Sequence, residues 1–130
     1  MSDLHITVIP GDGIGPEIMD ATLQVLKKLN VGLVFDEALA GGPAMQEGLD
    51  LIPEETLEKI EHSAATLKGP ITTPIGKGFT SVNVSLRQHF NLFANVRPTL
   101  SIPGATTRYS NIDILIVREN MEGLYSGIGH

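Results

Sequence analysis

Short apolar runs alternate along the chain with longer segments that have helical spacing. The run 5–10 is β-branched, which predicts a buried strand, and it leads into a glycine-rich turn at 11–15. Pro16 suits the first turn of a helix, and apolar residues recur after it at helical spacing as far as Leu29. A strand, a turn and a helix in this order are the opening unit of an α/β sheet.

The same alternation continues through the rest of the chain. Further strands are predicted at 33–39, 64–68, 93–96 and 112–117, and further helices at 53–63 and 81–91. Gly41, Gly42 and Pro43 are expected to break the chain after the second strand. Strands that alternate with helices favour a mainly parallel sheet, whose ligands bind at the carboxyl ends of the strands. The predicted class is therefore α/β, with a mixed, mostly parallel sheet flanked by helices.

Composition narrows the class of ligand. The chain has 130 residues, of which 42% are hydrophobic, and this is enough for a domain with a core. Its 15 acidic and 9 basic residues give a net charge of -6, which disfavours nucleic acid and anionic membranes as partners. Any anion that binds must therefore meet a local basic pocket.

Cysteine is absent, which excludes disulfides and thiolate metal sites and favours the cytoplasm. With no recognisable export signal or long apolar segment, we expect neither secretion nor a membrane anchor.

One predicted helix carries side chains suited to a polyanion. Ser81 stands at its N-terminus, and Asn83 and Arg87 are i and i+4 on one helix face. An anion there would meet the helix dipole, a hydroxyl, an amide and a guanidinium group. The alternative is a capping serine with two solvated surface residues, which the helix alone does not exclude.

Two more arginines each close a predicted strand that is apolar and therefore expected to be buried. Arg97 and Arg118 have little reason to lie beside a core unless they bind something. Together with Arg87 they can clamp several carboxylates in bidentate fashion, which favours a small acidic metabolite as the ligand. The alternative is structural ion pairing with Glu119 or Glu122.

Two loops add further candidates. Thr72 and Thr73 lie in a Pro- and Gly-rich loop, where hydroxyls and free N–H groups can line a cofactor or substrate, although composition fits a plain surface loop equally well. The turn GDGIGPE lacks the G-x-G-x-x-G spacing and predicts a tight strand-to-helix connection in preference to a pyrophosphate cradle. Tyr125 is a possible proton donor, although most single tyrosines only pack. The four histidines and the residues Asp12, Asp50 and Asp113 form no convincing metal-ligand set.

Four ordered stretches resemble a known family. They are PGDGIGPEI, KGPITTPIGKGFTSVNVSLRQ, LFANVRP and IVRENMEGLYSGI, and they are similar to the β-decarboxylating dehydrogenases, the family of isocitrate and isopropylmalate dehydrogenases. The resemblance covers nearly the whole chain. Ser81 and Asn83 favour isocitrate dehydrogenase, because isopropylmalate enzymes usually have apolar residues there. The stretch LFANVRP is more similar to the NAD-dependent group than to the enteric NADP group.

The resemblance implies a role for each candidate. Isocitrate would be bound by Ser81, Asn83, Arg87, Arg97 and Arg118. Thr72 and Thr73 would lie by the nicotinamide half of NAD, with NADP as the alternative. Hydride transfer would oxidise the 2-hydroxyl, and Mg²⁺ or Mn²⁺ would polarise the resulting ketone so that carbon dioxide leaves. Tyr125, the catalytic tyrosine, would then protonate the enolate to give 2-oxoglutarate.

The resemblance also implies that the chain is the N-terminal part of this fold. Residues 1–97 would belong to the large α/β domain and residues 98–130 to the start of a small, dimer-forming domain. The metal-binding aspartates and a catalytic lysine from a second subunit would lie outside this chain, so we expect the isolated chain to be inactive. We also expect exposed apolar surface that promotes self-association or binding of a partner chain. The complete protein is expected to be a homodimer or higher oligomer of the tricarboxylic acid cycle, cytoplasmic or, in a eukaryote, in the mitochondrial matrix.

Two other functions fit the same residues. One is a non-catalytic or regulatory chain that binds a tricarboxylate beside a catalytic partner. Tyr125 argues against it, because a pure sensor has less need of a proton donor. The other is part of an isopropylmalate or tartrate dehydrogenase.

Overall fold

A computed structural model of the chain describes residues 3–72 and 81–122. The chain divides into two units, Met1–Val82 and Asn83–His130. Two of the predicted site residues, Thr73 and Tyr125, lie outside the described residues. The predicted boundary between residues 97 and 98 concerns the complete fold of the family, and it stays a prediction.

A three-stranded parallel sheet forms the centre of the first unit. Its strands are β1 (Leu4–Ile9), β2 (Leu33–Glu37) and β3 (Ala65–Lys68), in the order β2-β1-β3. The central strand β1 pairs with both neighbours, and its carboxyl half is the most buried part, with Val8 2% and Ile9 0% exposed. These apolar residues form the core beneath the edge where all three strands end. The predicted strands and their parallel arrangement are confirmed here.

Within residues 3–72, the helices of this unit are α1 (Gly15–Lys28), α2 (Gly42–Gln46) and α3 (Glu54–His62). Helix α1 has Pro16 in its first turn and lysines in its last turn, as a helix dipole favours. Helix α2 was not predicted, because Gly41, Gly42 and Pro43 were interpreted as a break. Pro43 instead lies in the first turn of this short helix, where its missing N–H has no intrahelical partner to lose.

The second sheet is antiparallel. Helix α4 (Val82–His89) begins at the division between the units, and β4 (Ala94–Leu100) and β5 (Asp113–Glu119) follow it. The two strands pair directly, and no helix lies in the segment 101–112 that joins them. An antiparallel pair needs no helical crossover, which is why the alternation of strands and helices stops here.

Two expectations about these strands are wrong. Arg97 was expected to end its strand before Pro98, but β4 continues through Pro98 to Leu100. Proline is tolerated there because β4 has only β5 as a neighbour among the described residues, and N–H groups on the other side of the strand need no ladder partner. The strands were also expected to be buried, yet β5 is exposed along its whole length. The expected exposed apolar surface is present on this sheet, where Leu115 is 63% and Val117 61% exposed.

No helix in the described ranges 3–72 and 81–122 is long and apolar enough to cross a membrane.

Candidate functional site

The loops that follow the three parallel strands meet at one edge of the first sheet. Segment 10–14 follows β1, segment 38–41 follows β2 and segment 69–72 follows β3. The first and third of these pack backbone to backbone. A Cβ atom on Gly11 would lie 2.0 Å from the carbonyl oxygen of Pro70, and one on Gly69 would lie 2.0 Å from that of Pro10. The glycines are therefore required for contact between two loops, which agrees with the interpretation of GDGIGPE as a tight turn.

A carboxylate joins the same two loops. The backbone N–H of Thr72 donates to both carboxylate oxygens of Asp12, at 2.9 and 3.0 Å, and Thr72 Oγ1 donates to Asp12 Oδ1 at 2.7 Å. Asp12 is half-buried and Thr72 is exposed. The predicted cofactor residue Thr72 thus lies at the carboxyl edge of the sheet, with its position fixed by Asp12.

This role of Asp12 was not predicted, because the sequence presents the residue only as a candidate metal ligand. The signal that could have revealed it is topological. In a parallel sheet, an aspartate in the turn after one strand faces the loop after a neighbouring strand.

A cavity of about 220 Å³ opens beside the glycine turn. It is lined by Pro10, Gly11, Pro16, Glu37, Ala38, Leu39, Ala40 and Pro43. This lining is mostly apolar and comes from the loops after β1 and β2 and from adjoining residues of α1, β2 and α2, so the carboxyl edge has room for a small ligand group. A second cavity, of about 340 Å³, lies beside β1, β2 and α3, and its lining includes none of the predicted site residues.

Helix α4 carries two of the predicted substrate residues. Asn83 and Arg87 lie one turn apart, as expected, and both are half-buried. Val82 and Leu86, the residues directly before them, are buried, with 1% and 8% exposure. The buried pair therefore fixes the rotation of the helix, and Asn83 and Arg87 flank its apolar side. Ser81 directly precedes the helix and belongs to the first unit.

The β4–β5 sheet brings two predicted arginines to one face. Asn95 is paired with Arg118 across the ladder, and side chains two residues apart on a strand share a face. Arg97 is therefore a diagonal neighbour of Arg118. Arg97 Nε also donates to Asn95 Oδ1 at 3.2 Å. The register thus places two arginines and an asparagine on one face of the sheet, and these side chains are of the kinds that bind a carboxylate.

Asn95 was not recognised in the sequence as a site residue. It is half-buried and stands two positions before Arg97 on the same strand. The period of two in a strand is the signal that could have linked it to the arginine.

Hydrogen bonds in the turn after β5 make ion pairing with Glu119 a weaker explanation for Arg118. The Glu119 carboxylate accepts hydrogen bonds from the backbone N–H groups of Met121, at 2.8 and 3.0 Å, and Glu122, at 2.7 Å. These bonds lower the pKa of Glu119, with the Met121 bond contributing most. Neighbouring residues of a strand point to opposite faces, so Glu119 faces away from Arg118 and caps the turn.

Asn120, the next residue, is 6% exposed, and its N–H donates to the carbonyl oxygen of Phe93 at 2.9 Å. Its buried Oδ1 atom accepts no hydrogen bond from the described residues. Nothing in the sequence marked this amide as a group in need of a donor.

No metal site is formed by the residues that the structure describes. Within 3–72 and 81–122, no group of three or more His, Asp or Glu side chains could hold a metal ion.

Comparison with known proteins connects these residues to one family. The family model described as isocitrate/isopropylmalate dehydrogenase matches residues 5–130. The chain is 47% identical over 128 residues to isocitrate dehydrogenase [NADP] of Thermus thermophilus, covering 96% of the chain and 26% of that protein. It is 42% identical to the chloroplastic 3-isopropylmalate dehydrogenase of Solanum tuberosum, over 98% of the chain and 36% of that protein. It is 46% identical to subunit 2 of the mitochondrial isocitrate dehydrogenase [NAD] of Saccharomyces cerevisiae, over 96% of the chain and 34% of that protein.

A solved structure confirms the predicted fold class. The crystal structure of isocitrate dehydrogenase from Methylococcus capsulatus superimposes with a TM-score of 0.85 at 47% identity. The match covers 100% of this chain and 38% of that chain. The chain spans about a quarter to a third of the length of the three relatives above, between 26% and 36%.

Proposed function

The chain belongs to the isocitrate/isopropylmalate dehydrogenase family, and from that premise we propose that it is part of an enzyme that converts isocitrate to 2-oxoglutarate with reduction of NAD. The observation that carries this proposal is the shared face of β4 and β5, on which Arg97 and Arg118 are diagonal neighbours. Isocitrate has three carboxylates, and a chain with a net charge of -6 must concentrate positive charge locally to bind it. Two guanidinium groups on one face supply that charge.

In this proposal the substrate is bound by Ser81, Asn83, Arg87, Arg97 and Arg118. The arginines would bind carboxylates in bidentate fashion, and their rigid planar donors would fix the orientation of the substrate. Asn83 and Ser81 would donate hydrogen bonds to the remaining carboxylate. Tyr125 would donate a proton to the product enolate.

Thr72 and Thr73 would lie beside the nicotinamide half of the cofactor. The position of Thr72 at the carboxyl edge of the parallel sheet supports this, since cofactors bind at that edge in open α/β sheets. When bound, the cofactor accepts the hydride, and the protein supplies position and electrostatics. NAD is preferred over NADP because of the stretch LFANVRP, and both cofactors occur in the names of the relatives. The described residues do not form a site for Mg²⁺ or Mn²⁺, and in this proposal the ligands of that metal lie outside this chain.

A second candidate function keeps the fold and changes the acid. The potato relative is named a 3-isopropylmalate dehydrogenase, and isopropylmalate carries an apolar branch where isocitrate carries a carboxylate. The polar residues Ser81 and Asn83 favour isocitrate, because an apolar branch would leave their polar groups unpaired.

Arginine substitutions test the proposed substrate site. We expect Arg97→Gln to weaken isocitrate binding about 10- to 100-fold, because the charged donor to a substrate carboxylate is lost while a polar side chain remains. The matched control is Arg108→Gln, which removes an exposed charge from the segment between β4 and β5, where Arg108 stacks 5.4 Å from the Tyr109 ring. Binding is measured by calorimetry on the 130-residue chain with isocitrate and isopropylmalate. Equal losses in both variants would show nonspecific charge attraction, and tighter binding of isopropylmalate would favour the second candidate.

A further inference from the structure

We infer that Asp12 is a positioning residue for the cofactor side of this site, which orients Thr72 so that its hydroxyl meets a ligand only as a hydrogen-bond acceptor. The inference rests on the proposed function, in which Thr72 lies beside the nicotinamide. The ligand group that meets the Thr72 hydroxyl must then carry a hydrogen-bond donor, and the N–H of the nicotinamide carboxamide is such a donor.

Both hydrogen-bond donors of Thr72 are used by Asp12. A threonine hydroxyl has one proton to donate and two lone pairs that accept. Thr72 Oγ1 gives that proton to Asp12 Oδ1 at 2.7 Å, and the Thr72 backbone N–H is also directed to the Asp12 carboxylate, at 2.9 and 3.0 Å. Bonds to an ionised acceptor are about twice as strong as neutral ones. Both donors of Thr72 are therefore committed, and the exposed hydroxyl oxygen keeps only its acceptor capacity.

The loop after β3, which contains Thr72, is packed between the loops after β1 and β2. The N–H of Asp12 donates to the carbonyl oxygen of Pro70 at 3.0 Å, which ties the turn after β1 to the loop after β3. A Cβ atom on Gly41 would lie 2.4 Å from Ile71 Cγ2, so the loop after β2 also packs closely against it. Three successive residues of the loop after β3 are therefore held from two sides. The backbone of Thr72 is therefore held next to Asp12, whose carboxylate accepts the hydroxyl proton at 2.7 Å.

A merely structural role for Asp12 makes a different prediction. If Asp12 only stabilised the loop, its loss would weaken all cofactor analogues equally. If it orients the Thr72 hydroxyl as an acceptor, its loss removes the preference for a cofactor that carries a carboxamide N–H. The suitable pair of probes is NAD⁺ and its 3-acetylpyridine analogue, in which a methyl group replaces the carboxamide NH₂.

The experiment is a calorimetric titration of the 130-residue chain with both nucleotides. We expect the unsubstituted chain to bind NAD⁺ about 2- to 10-fold more tightly than the acetylpyridine analogue, which is the range for one net hydrogen bond. Asp12→Ala and Thr72→Val should each abolish this preference. Asp12→Asn should retain part of it, because Oδ1 alone accepts the Thr72 hydroxyl and one backbone bond.

The matched control is Asp36→Asn. Asp36 lies on β2 in the same unit, where it bonds His5 Nδ1 at 2.7 Å at the surface. Its substitution therefore removes the same charge at a position away from Thr72. Thr72→Val keeps the backbone bonds to Asp12 and remains informative if Asp12→Ala fails to fold. A preference that survives both Asp12→Ala and Thr72→Val, or equal binding of the two nucleotides by the unsubstituted chain, overturns the inference and leaves the proposed function intact. Absence of nucleotide binding in the unsubstituted chain overturns the cofactor part of the proposed function and the inference with it.

Discussion

At the scale of single residues, the glycines of the turn after β1 differ in what they do. Gly11 has φ +80 and no room for a side chain, because a Cβ atom would lie 2.0 Å from the carbonyl oxygen of Pro70. Gly13 has φ +58 but meets nothing within 4 Å. Their positions in GDGIGPE do not reveal this difference, since both are glycines in one turn. It appears only when the loop after β3 is placed against the turn.

The two glycines therefore form a matched pair for a stability test. We expect Gly13→Ala to lower the free energy of unfolding by about 1 kcal/mol, from the left-handed backbone alone. Gly11→Ala should lower it by about 2–4 kcal/mol, because the new methyl group also forces the two loops apart. Urea unfolding of the chain, followed by circular dichroism, measures both. Equal losses would contradict the close contact between the loops.

Glu119 gives a prediction about pH. Its pKa is lowered because the Met121 and Glu122 N–H groups bond the ionised carboxylate, Met121 most strongly. A lowered folded-state pKa means that the stabilisation of this turn is present above the ordinary pKa of a glutamate. It is lost as the pH falls through the lowered value.

We therefore expect the amide resonances of Met121 and Glu122 to shift together in an acid titration followed by NMR. Their midpoint should lie below the ordinary glutamate value, and Glu119→Gln should remove the transition. A midpoint at or above that value would show that the carboxylate does not bond these amides in solution.

At the scale of secondary structure, the period of the apolar residues was enough to place the strands and the longer helices. Local signals also identified α1, whose Pro16 and terminal lysines are placed as the helix dipole requires. The same reasoning failed for α2, because a glycine and a proline that start a short helix look the same in sequence as those that end a strand. It failed again for the extent of β4, since Pro98 is permitted because one side of that strand has no neighbour within 3–72 and 81–122.

The site shows the same division between local and long-range information. Asn83 and Arg87 were correctly placed on one helix face because their spacing is local. The pairing of Arg118 with Asn95 depends on the register of two strands that are joined by a long segment, which the sequence does not specify. The bond between Asp12 and Thr72 spans 60 residues and depends on the order of strands in the sheet. Such contacts belong to the tertiary structure and have no periodic signal.

At the scale of the whole molecule, the two faces of the β4–β5 sheet differ in character. One face carries Asn95, Arg97 and Arg118, which we propose as part of the substrate site. The opposite face carries Leu115 and Val117, which are 63% and 61% exposed, whereas Ile114 and Ile116 on the arginine face are 50% and 47% exposed. Apolar side chains that share one face and remain exposed are typical of a surface that another chain covers. The arginines and the apolar residues can thus serve different partners, because adjacent positions of a strand point in opposite directions.

This separation predicts how the chain self-associates. We expect the 130-residue chain to form dimers or larger species that increase with concentration, and the double substitution Leu115→Lys and Val117→Lys to shift them to monomers. Isocitrate binding should remain, because Arg97 and Arg118 lie on the other face. The control is Ile116→Lys, which places the same charge on the same strand but on the arginine face, where Ile116 is 47% exposed. Sedimentation velocity over a concentration series measures the species. If Ile116→Lys disrupts association equally well, or if the unsubstituted chain stays monomeric, the apolar face of β5 is not the surface of contact.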